Sequence, residues 1–195
     1  MTDPGNILLL TAVFVNYGSA QVFTNELAIP PTLTGPNFTL TVNDTTHEFY
    51  TGVPSTTYGY SGMGYLGPTL IFTSGETVNF NLTNNTAGTN VTVHWHGFHL
   101  PAKWDGGPGN PIAPNGGTWF PSFEVMQNAS TMWYHSHIHG LTAVQVGRGM
   151  AGLIIINDGV ESSLDLPRTY GTDDIPIILQ DKEFENNSLR DGVSE

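Results

Sequence analysis

Short stretches in which apolar and polar residues alternate recur along the chain, and this period-two pattern is typical of half-buried β-strands. Residues 153–156 are apolar throughout and instead predict a strand that is buried on both faces. Turn-forming residues separate these stretches at intervals of roughly ten residues. Strands are predicted at residues 38–42, 69–73, 77–82, 90–96, 119–125, 131–137 and 153–156.

The segments between these strands are rich in residues that form turns. Asn43-Asp44 is expected to end the first strand, and residues 51–68, dense in Gly, Tyr, Ser and Thr, are expected to form a loop. A longer loop at residues 97–118 contains Asp105-Gly106-Gly107-Pro108, and a loop of that length within a compact domain usually has a function. Short strands joined by such turns predict an all-β protein, either a β-sandwich or a barrel.

One domain is expected to span residues 21–159. The chain has 195 residues, of which 38% are hydrophobic, and this is enough for one substantial core. Residues 160–174 are expected to form a linker, and the apolar run at residues 175–180 predicts a new strand. Residues 160–195 are therefore interpreted as a linker and the first strand of a second, truncated domain.

Residues 1–20 are expected to be a secretory signal peptide. An apolar run at residues 7–15 is followed by the small residues Gly18-Ser19-Ala20, as in a signal with its cleavage site. The run is too short to span a bilayer, and no later stretch is long enough to do so. The basic residues that usually precede such a run are missing, which leaves a first strand as the alternative interpretation.

Charge and cysteine content exclude several classes of function. The formal net charge is −12 with five basic residues, so the surface is expected to repel the phosphate backbone of nucleic acids. The chain has no cysteine, which excludes disulfides, thiolate zinc sites and cysteine nucleophiles. A copper site that requires a thiolate ligand is excluded within this chain for the same reason.

Four histidines form two pairs of the form His-x-His, His94 with His96 and His135 with His137. Residues at positions i and i+2 of a strand share a face, so each pair is expected to point in one direction. If the two strands are close, four imidazoles converge on a metal ion, and copper, zinc, iron and nickel all accept imidazole ligands. One closed site and a share in a larger cluster both remain open at this point.

The three remaining histidines are weaker candidates for metal ligands. His99 and His139 lie just beyond predicted strands and are expected at the surface or as hydrogen-bonding partners of the ligands. His47 stands alone beside acidic residues and is expected at the surface.

Residues 92–97, Thr-Val-His-Trp-His-Gly, and residues 133–137, Trp-Tyr-His-Ser-His, resemble the first two copper motifs of the multicopper oxidases. The resemblance covers roughly residues 25–185. Within it, residues 101–108 look like the bacterial branch that includes copper-efflux oxidases, spore-coat laccases and bilirubin oxidases. Further matching segments are residues 58–62, 66–69, 101–108, 149–153, 174–176 and 180–182, together with Gln145.

This resemblance implies a cupredoxin-like Greek-key fold and a set of copper ligands. In that family three cupredoxin domains share four coppers. The resemblance implies that His94 binds the type 2 copper, that His96 and His135 bind one copper of the type 3 pair, and that His137 binds the other. The resemblance also implies that Asp105 matches a loop carboxylate that hydrogen-bonds near the cluster and helps to deliver protons to oxygen. The alternative is a turn-forming Asp before Gly106-Gly107.

The resemblance also implies an activity for the complete enzyme. Phenols, bilirubin-like pigments or cuprous ions would be oxidised while dioxygen is reduced to water. The cysteine-bound type 1 copper and the other four cluster histidines of the family lie in a C-terminal domain that has no counterpart in this sequence. We therefore expect an incomplete part of a periplasmic or secreted multicopper oxidase, inactive by itself.

Three alternatives are weighed against this interpretation. A non-enzymatic cupredoxin scaffold, like the relatives that serve cell division, would have no need of all four histidines. A copper nitrite reductase should carry a type 1 cysteine in its first domain, and the chain has none. A mononuclear zinc hydrolase could use the His-x-His pairs with a single metal ion and no partner domain.

Overall fold

A computed structural model describes residues 25–191, so the predicted signal at residues 1–20 lies outside the described part of the chain. Between residues 25 and 191, no helix combines the length and the apolar character that crossing a bilayer requires. In this described part, the strands and the one short α-helix are β1 (Thr32–Thr34), β2 (Asn37–Tyr50), β3 (Val53–Tyr60), β4 (Thr69–Thr73), β5 (Thr77–Asn84), β6 (His94–His96), β7 (Gly117–Trp119), β8 (Ser122–Glu124), β9 (Ser130–His135), α1 (Thr142–Gly147), β10 (Ala151–Asn157), β11 (Phe184–Glu185) and β12 (Ser188–Leu189).

Two sheets pack face to face. The first, called the histidine sheet below, has the strand order β1-β4-β10-β9-β6, with parallel pairing between β1, β4 and β10 and antiparallel pairing beyond. The second sheet has the order β3-β2-β5, and β7 and β8 pair one after the other along the free edge of β5. The prediction of an all-β sandwich is therefore confirmed.

The core lies between the two sheets and follows from the alternation seen in the sequence. On β5 and on residues 37–42 of β2 every second side chain is buried, and Phe38 of β2 stacks on Phe80 of β5 at 5.1 Å. Burial of each such side chain contributes about 1.5–3 kcal/mol to folding. The inner side chains of the histidine sheet, among them Leu70, Tyr134 and Ile154, close the core from the other side.

The second sheet is larger than the sequence predicts. The strand predicted at residues 38–42 continues through the expected turn at Asn43-Asp44 to Tyr50. β3 lies within residues 51–68, which were expected to be a loop, and pairs Gly59 with Asn43 and Tyr58 with Asp44. Turn-forming residues adopt strand geometry here because the neighbouring strand satisfies their backbone groups.

Three other strand boundaries differ from the prediction. The strand predicted at residues 90–96 is a regular strand from His94 onwards. The strand predicted at 119–125 is split into β7 and β8 around Pro121, whose ring nitrogen has no hydrogen to donate to a ladder. The strand predicted at 131–137 ends at His135, two residues early.

The prediction of a strand at residues 175–180 is wrong, since these residues form no strand in the described structure. They lie instead against the sandwich: Tyr65 donates a hydrogen bond from its hydroxyl to Gln180 at 2.7 Å. Lys182 follows and donates to the carbonyl of Gly147, also at 2.7 Å. A strand needs a neighbouring edge to satisfy its backbone groups, and residues 175–180 pair with no strand between residues 25 and 191.

Candidate metal centre

β6 places His94 and His96 on the outer face of the histidine sheet because Trp95 between them points inward. Trp95 is fully buried, and its ring centroid lies 4.3 Å from that of Phe80 and 5.4 Å from that of Phe123. Its indole nitrogen donates to the carbonyl of Trp104 at 3.0 Å. Because side chains alternate along a strand, this one anchor turns both neighbouring imidazoles outward.

β9 brings a third imidazole to the same place. In the antiparallel pairing of β6 with β9, His94 lies directly opposite His135, and the two ring centroids are 5.2 Å apart. One possible ligand atom from each of His94, His96 and His135 lies within 4.8 Å of the others. Trp133 stacks on His135 at 4.0 Å and limits the rotation of that ring.

His137 joins the group from beyond the end of β9. Its ring centroid is 5.1 Å from that of His94 and 5.8 Å from that of His135. The two pairs therefore meet, as the sequence predicts, although His137 is not carried by a strand. Its backbone N–H donates to the hydroxyl of Thr92 at 2.6 Å, which fixes where the segment turns.

Hydrogen bonds to backbone carbonyls determine the tautomer of two of the imidazoles. Nδ1 of His94 is 2.8 Å from the carbonyl oxygen of Asp105, and Nδ1 of His135 is 2.7 Å from that of Ser136. A carbonyl can accept but not donate, so each Nδ1 carries the hydrogen. Each Nε2 therefore carries a lone pair and no hydrogen, the form in which imidazole binds a metal ion.

The spacing of two ring nitrogens fits a shared metal ion. Nδ1 of His96 lies 3.1 Å from Nε2 of His135. Two nitrogens at that separation, each about 2.0 Å from an ion, subtend an angle of about 100° at it, which four-coordinate geometries accommodate. Nδ1 of His137 is buried and finds no hydrogen-bond partner among residues 25–191, which fits a side chain whose partner is a metal ion.

The imidazoles differ in burial, and burial affects the protonation of His135. His135 is 5% exposed and the side chain of His94 is 16% exposed, whereas His96 is exposed to solvent. Burial lowers the pKa of His135 to about 4, although its hydrogen bond to the Ser136 carbonyl raises it, and the neighbouring imidazoles lower it further. His135 is therefore neutral near pH 7 and available as a ligand.

Asp105 is held beside His94 by the glycine that follows it. A Cβ atom on Gly106 would lie 1.8 Å from the carbonyl oxygen of Val93, so a side chain is excluded there, and the φ of +68° also favours glycine. This close approach brings the backbone carbonyl of Asp105 to Nδ1 of His94, and its carboxylate lies 3.3 Å from the same nitrogen. The loop at residues 97–118 thus contributes directly to the site.

The remaining histidines lie apart from this group. His99 and His139 are exposed, in agreement with the prediction. His47 was expected at the surface but is half-buried, since it stacks on Tyr65 at 5.5 Å and meets the edge of Phe49 at 4.6 Å. Burial lowers the pKa of His47, and the charge of Glu48 opposes this shift.

Three buried polar residues support the ligand segment: Ser136 lies within it, and Thr92 and Gln145 hydrogen-bond to it. The family resemblance includes all three residues, but their hydrogen bonds to this segment were not predicted. Gln145 lies on α1, for which no helix was predicted.

The fold is a β-sandwich of the cupredoxin type, and its histidine group could hold a metal ion. The sequence profile of the family described as multicopper oxidase matches residues 41–161. Multicopper oxidase mco of Staphylococcus aureus is 43% identical over 153 residues, an alignment that covers 78% of this chain and 33% of that protein. Cell division protein FtsP of Escherichia coli is 36% identical over 163 residues, 82% of this chain and 34% of that protein.

Solved structures give the same result. A multi-copper oxidase from Pediococcus acidilactici superposes with a TM-score of 0.80 at 36% identity, covering 88% of this chain and 37% of that one. The bacterial laccase-like multi-copper oxidase CueO from Ochrobactrum sp. superposes with a TM-score of 0.75 at 39% identity, covering 80% and 35%.

The chain belongs to the multicopper oxidase family, whose members bind copper. It spans about a third of the length of the curated relatives it matches. The histidines grouped at β6 and β9 suit this metal, since imidazole is a good copper ligand.

Proposed function

We propose that this chain is the N-terminal cupredoxin domain of a laccase-like multicopper oxidase and supplies half of the histidine ligands of its three-copper cluster. The observation that carries the proposal is the convergence of four imidazoles from two motifs at one edge of the histidine sheet. In the complete protein the cluster would reduce dioxygen to water while phenols, pigments or cuprous ions are oxidised.

The geometry supports an assignment of each ligand. We propose that His96 and His135 bind one copper of the type 3 pair, since their facing nitrogens are 3.1 Å apart. His94 would bind the type 2 copper through Nε2, because Nδ1 is engaged by Asp105. His137 would bind the second type 3 copper, and its unpartnered ring nitrogen supports a ligand role.

Copper, when bound, would accept single electrons and pass them to dioxygen. The protein's own part is to hold the imidazoles in place before the metal arrives. The Asp105 and Ser136 carbonyls fix two tautomers, and Trp133 restrains the ring of His135. The partly exposed carboxylate of Asp105, 37% accessible, stands where it can exchange protons with solvent beside His94.

Replacement of Asp105 by Asn is expected to slow dioxygen reduction by the complete protein on the order of 10²-fold, because proton transfer by a positioned side chain contributes about that much. Copper content should stay unchanged, since the backbone carbonyl that holds His94 is retained. Oxygen consumption and copper content, measured on the same samples, check this. Loss of copper in parallel with activity would show that Asp105 is structural.

The proposed partners are dioxygen, a small-molecule or cuprous-ion substrate, and further cupredoxin domains that complete the cluster. We propose that residues 21–159 form the first domain and residues 160–195 the linker and start of a second. The location would be periplasmic or secreted. The acidic composition, with a net charge of −12, supports partners other than nucleic acid.

Metal analysis and electron paramagnetic resonance on a chain that includes the C-terminal cupredoxin domains test the function. We expect about four coppers per chain and the signal of a blue type 1 site. The 195-residue chain by itself should bind copper weakly and show no turnover. One zinc per chain, or no metal, would contradict the oxidase proposal, and tight copper binding with turnover by the short chain would contradict its incompleteness.

The similarity to cell division protein FtsP supports one competing function, a cupredoxin scaffold without enzymatic activity. A scaffold has no use for four converging imidazoles, two of them with tautomers fixed by hydrogen bonds. The copper measurement separates the two, since a scaffold would bind none.

A further inference from the structure

We infer that Thr92 and Gln145 are positioning residues that hold the segment carrying His135 and His137 against the strand carrying His94 and His96. The inference rests on the proposed function for the identity of the metal. The arrangement of the two ligand segments is a property of the protein without metal and is tested separately below.

The need for such residues follows from the end of β9. The ladder with β6 sets the position of His135, opposite His94, but the strand ends there. Ser136 and His137 have therefore left the sheet, and strand geometry no longer decides where the His137 imidazole points. Other contacts must hold the segment within 5.1 Å of the His94 ring.

Thr92 supplies the first of these contacts. It precedes His94 by two residues, is fully buried, and accepts a hydrogen bond from the backbone N–H of His137 at 2.6 Å. One side-chain oxygen therefore links the two ligand motifs directly. A polar N–H that is shielded from water and has no partner is unfavourable, so this bond favours the observed position of His137.

Gln145 supplies the second contact. Its side-chain oxygen accepts a hydrogen bond from the hydroxyl of Ser136, the residue between the two ligands. Its side-chain nitrogen donates to the carbonyl of Asn90 at 2.8 Å and to the hydroxyl of Thr89 at 3.0 Å. The amide thus bridges the segment before β6 and the segment after β9.

The bridge is itself firmly held. Gln145 is 2% exposed, its backbone N–H donates to Leu141 within the turn of α1, and its carbonyl accepts from Met150. Ser136 also donates its backbone N–H to Met150, at 3.1 Å. A buried glutamine whose two polar ends both have partners restricts the backbone on either side to one arrangement.

Replacement of Thr92 by Val tests the first contact, because the two side chains have nearly the same shape and the hydroxyl alone is lost. We expect copper binding to weaken about 10- to 100-fold and the resonance spectrum of the bound Cu(II) to change. The matched control is Thr57→Val in β3: Thr57 is also fully buried and donates to the carbonyl of Gly64 at 2.6 Å, but it lies on the second sheet. Both variants should lose similar stability in urea, whereas copper binding should weaken in Thr92→Val alone.

Replacement of Gln145 by Met and of Ser136 by Ala tests the second contact in a double-mutant cycle. Each single variant should weaken copper binding, and the double variant should be little worse than either, since both remove the same link. Additive losses, or equal losses in Thr92→Val and Thr57→Val, would overturn the inference.

A measurement without metal separates this inference from the proposed function. In the metal-free chain, the backbone amide of His137 should exchange with solvent at least tenfold faster in Thr92→Val than in Thr57→Val. If the wild-type chain binds no copper, the proposed function fails and this difference still stands. If copper binds and the exchange rates are alike, the positioning role fails and the proposed function stands.

Discussion

Joint replacement of His94 and His96 by alanine is expected to abolish copper binding by this chain. Loss of partners that merely support a ligand weakens metal binding about 10- to 100-fold, so removal of two ligands should exceed roughly 100-fold. The fold should be retained, because both imidazoles lie on the outer face of β6 and Trp95 between them still fills the core. Copper titration and thermal unfolding of the same samples measure the two effects.

A matched double variant makes this result specific. His99 and His139 are both exposed and lie a few residues beyond the two ligand pairs. Their joint replacement by alanine therefore also removes two imidazoles, close to the proposed site. Copper binding should persist in that variant. If both double variants lost copper alike, the metal would be bound by surface histidines in general, and the assignment to β6 would be wrong.

Replacement of Trp95 by alanine should lower the free energy of unfolding by about 4 kcal/mol, in the range found for large aromatic side chains removed from a core. Trp95 is fully buried, packs on Phe80 and Phe123, and leaves the carbonyl of Trp104 unpaired when removed. Since Trp95 also orients His94 and His96, its replacement should weaken copper binding as well. Urea unfolding followed by circular dichroism gives the free energy.

Trp119 provides the comparison for this experiment. It lies on β7 and is half-buried, so its replacement by alanine should destabilise the domain by clearly less than the Trp95 variant. Copper binding should remain close to wild type, because Trp119 is on the second sheet. If the two substitutions lowered the free energy of unfolding equally, Trp95 would have no special place in the core.

Strands with a regular alternation or a continuous apolar run could be predicted from the sequence, as β4, β5 and β10 show. β3 could not, because its residues are turn formers whose strand geometry depends on pairing with β2. The apolar run at residues 175–180 led to the opposite error, a predicted strand where none forms. Periodicity reports which side chains avoid water, whereas a strand also needs a partner edge that the local sequence does not specify.

The same distinction applies to the site. The two His-x-His pairs were recognisable, and the structure brings all four imidazoles together. The expectation that residues i and i+2 of a strand share a face holds for His94 and His96. It fails for His137, which lies beyond the end of β9. The contacts that replace the strand come from Thr92 and from Gln145, and contacts between distant segments have no local pattern.

The graded burial of the imidazoles bears on how fast a copper ion is acquired and released. With His135 almost inaccessible and His96 facing solvent, an ion held by this domain would keep an open flank toward water. A small chelator could reach that flank, so exchange should be rapid while the domain stands alone. If another domain covered this flank, a copper ion would enter and leave more slowly. Loading the metal before the domains close would therefore be the faster order of assembly.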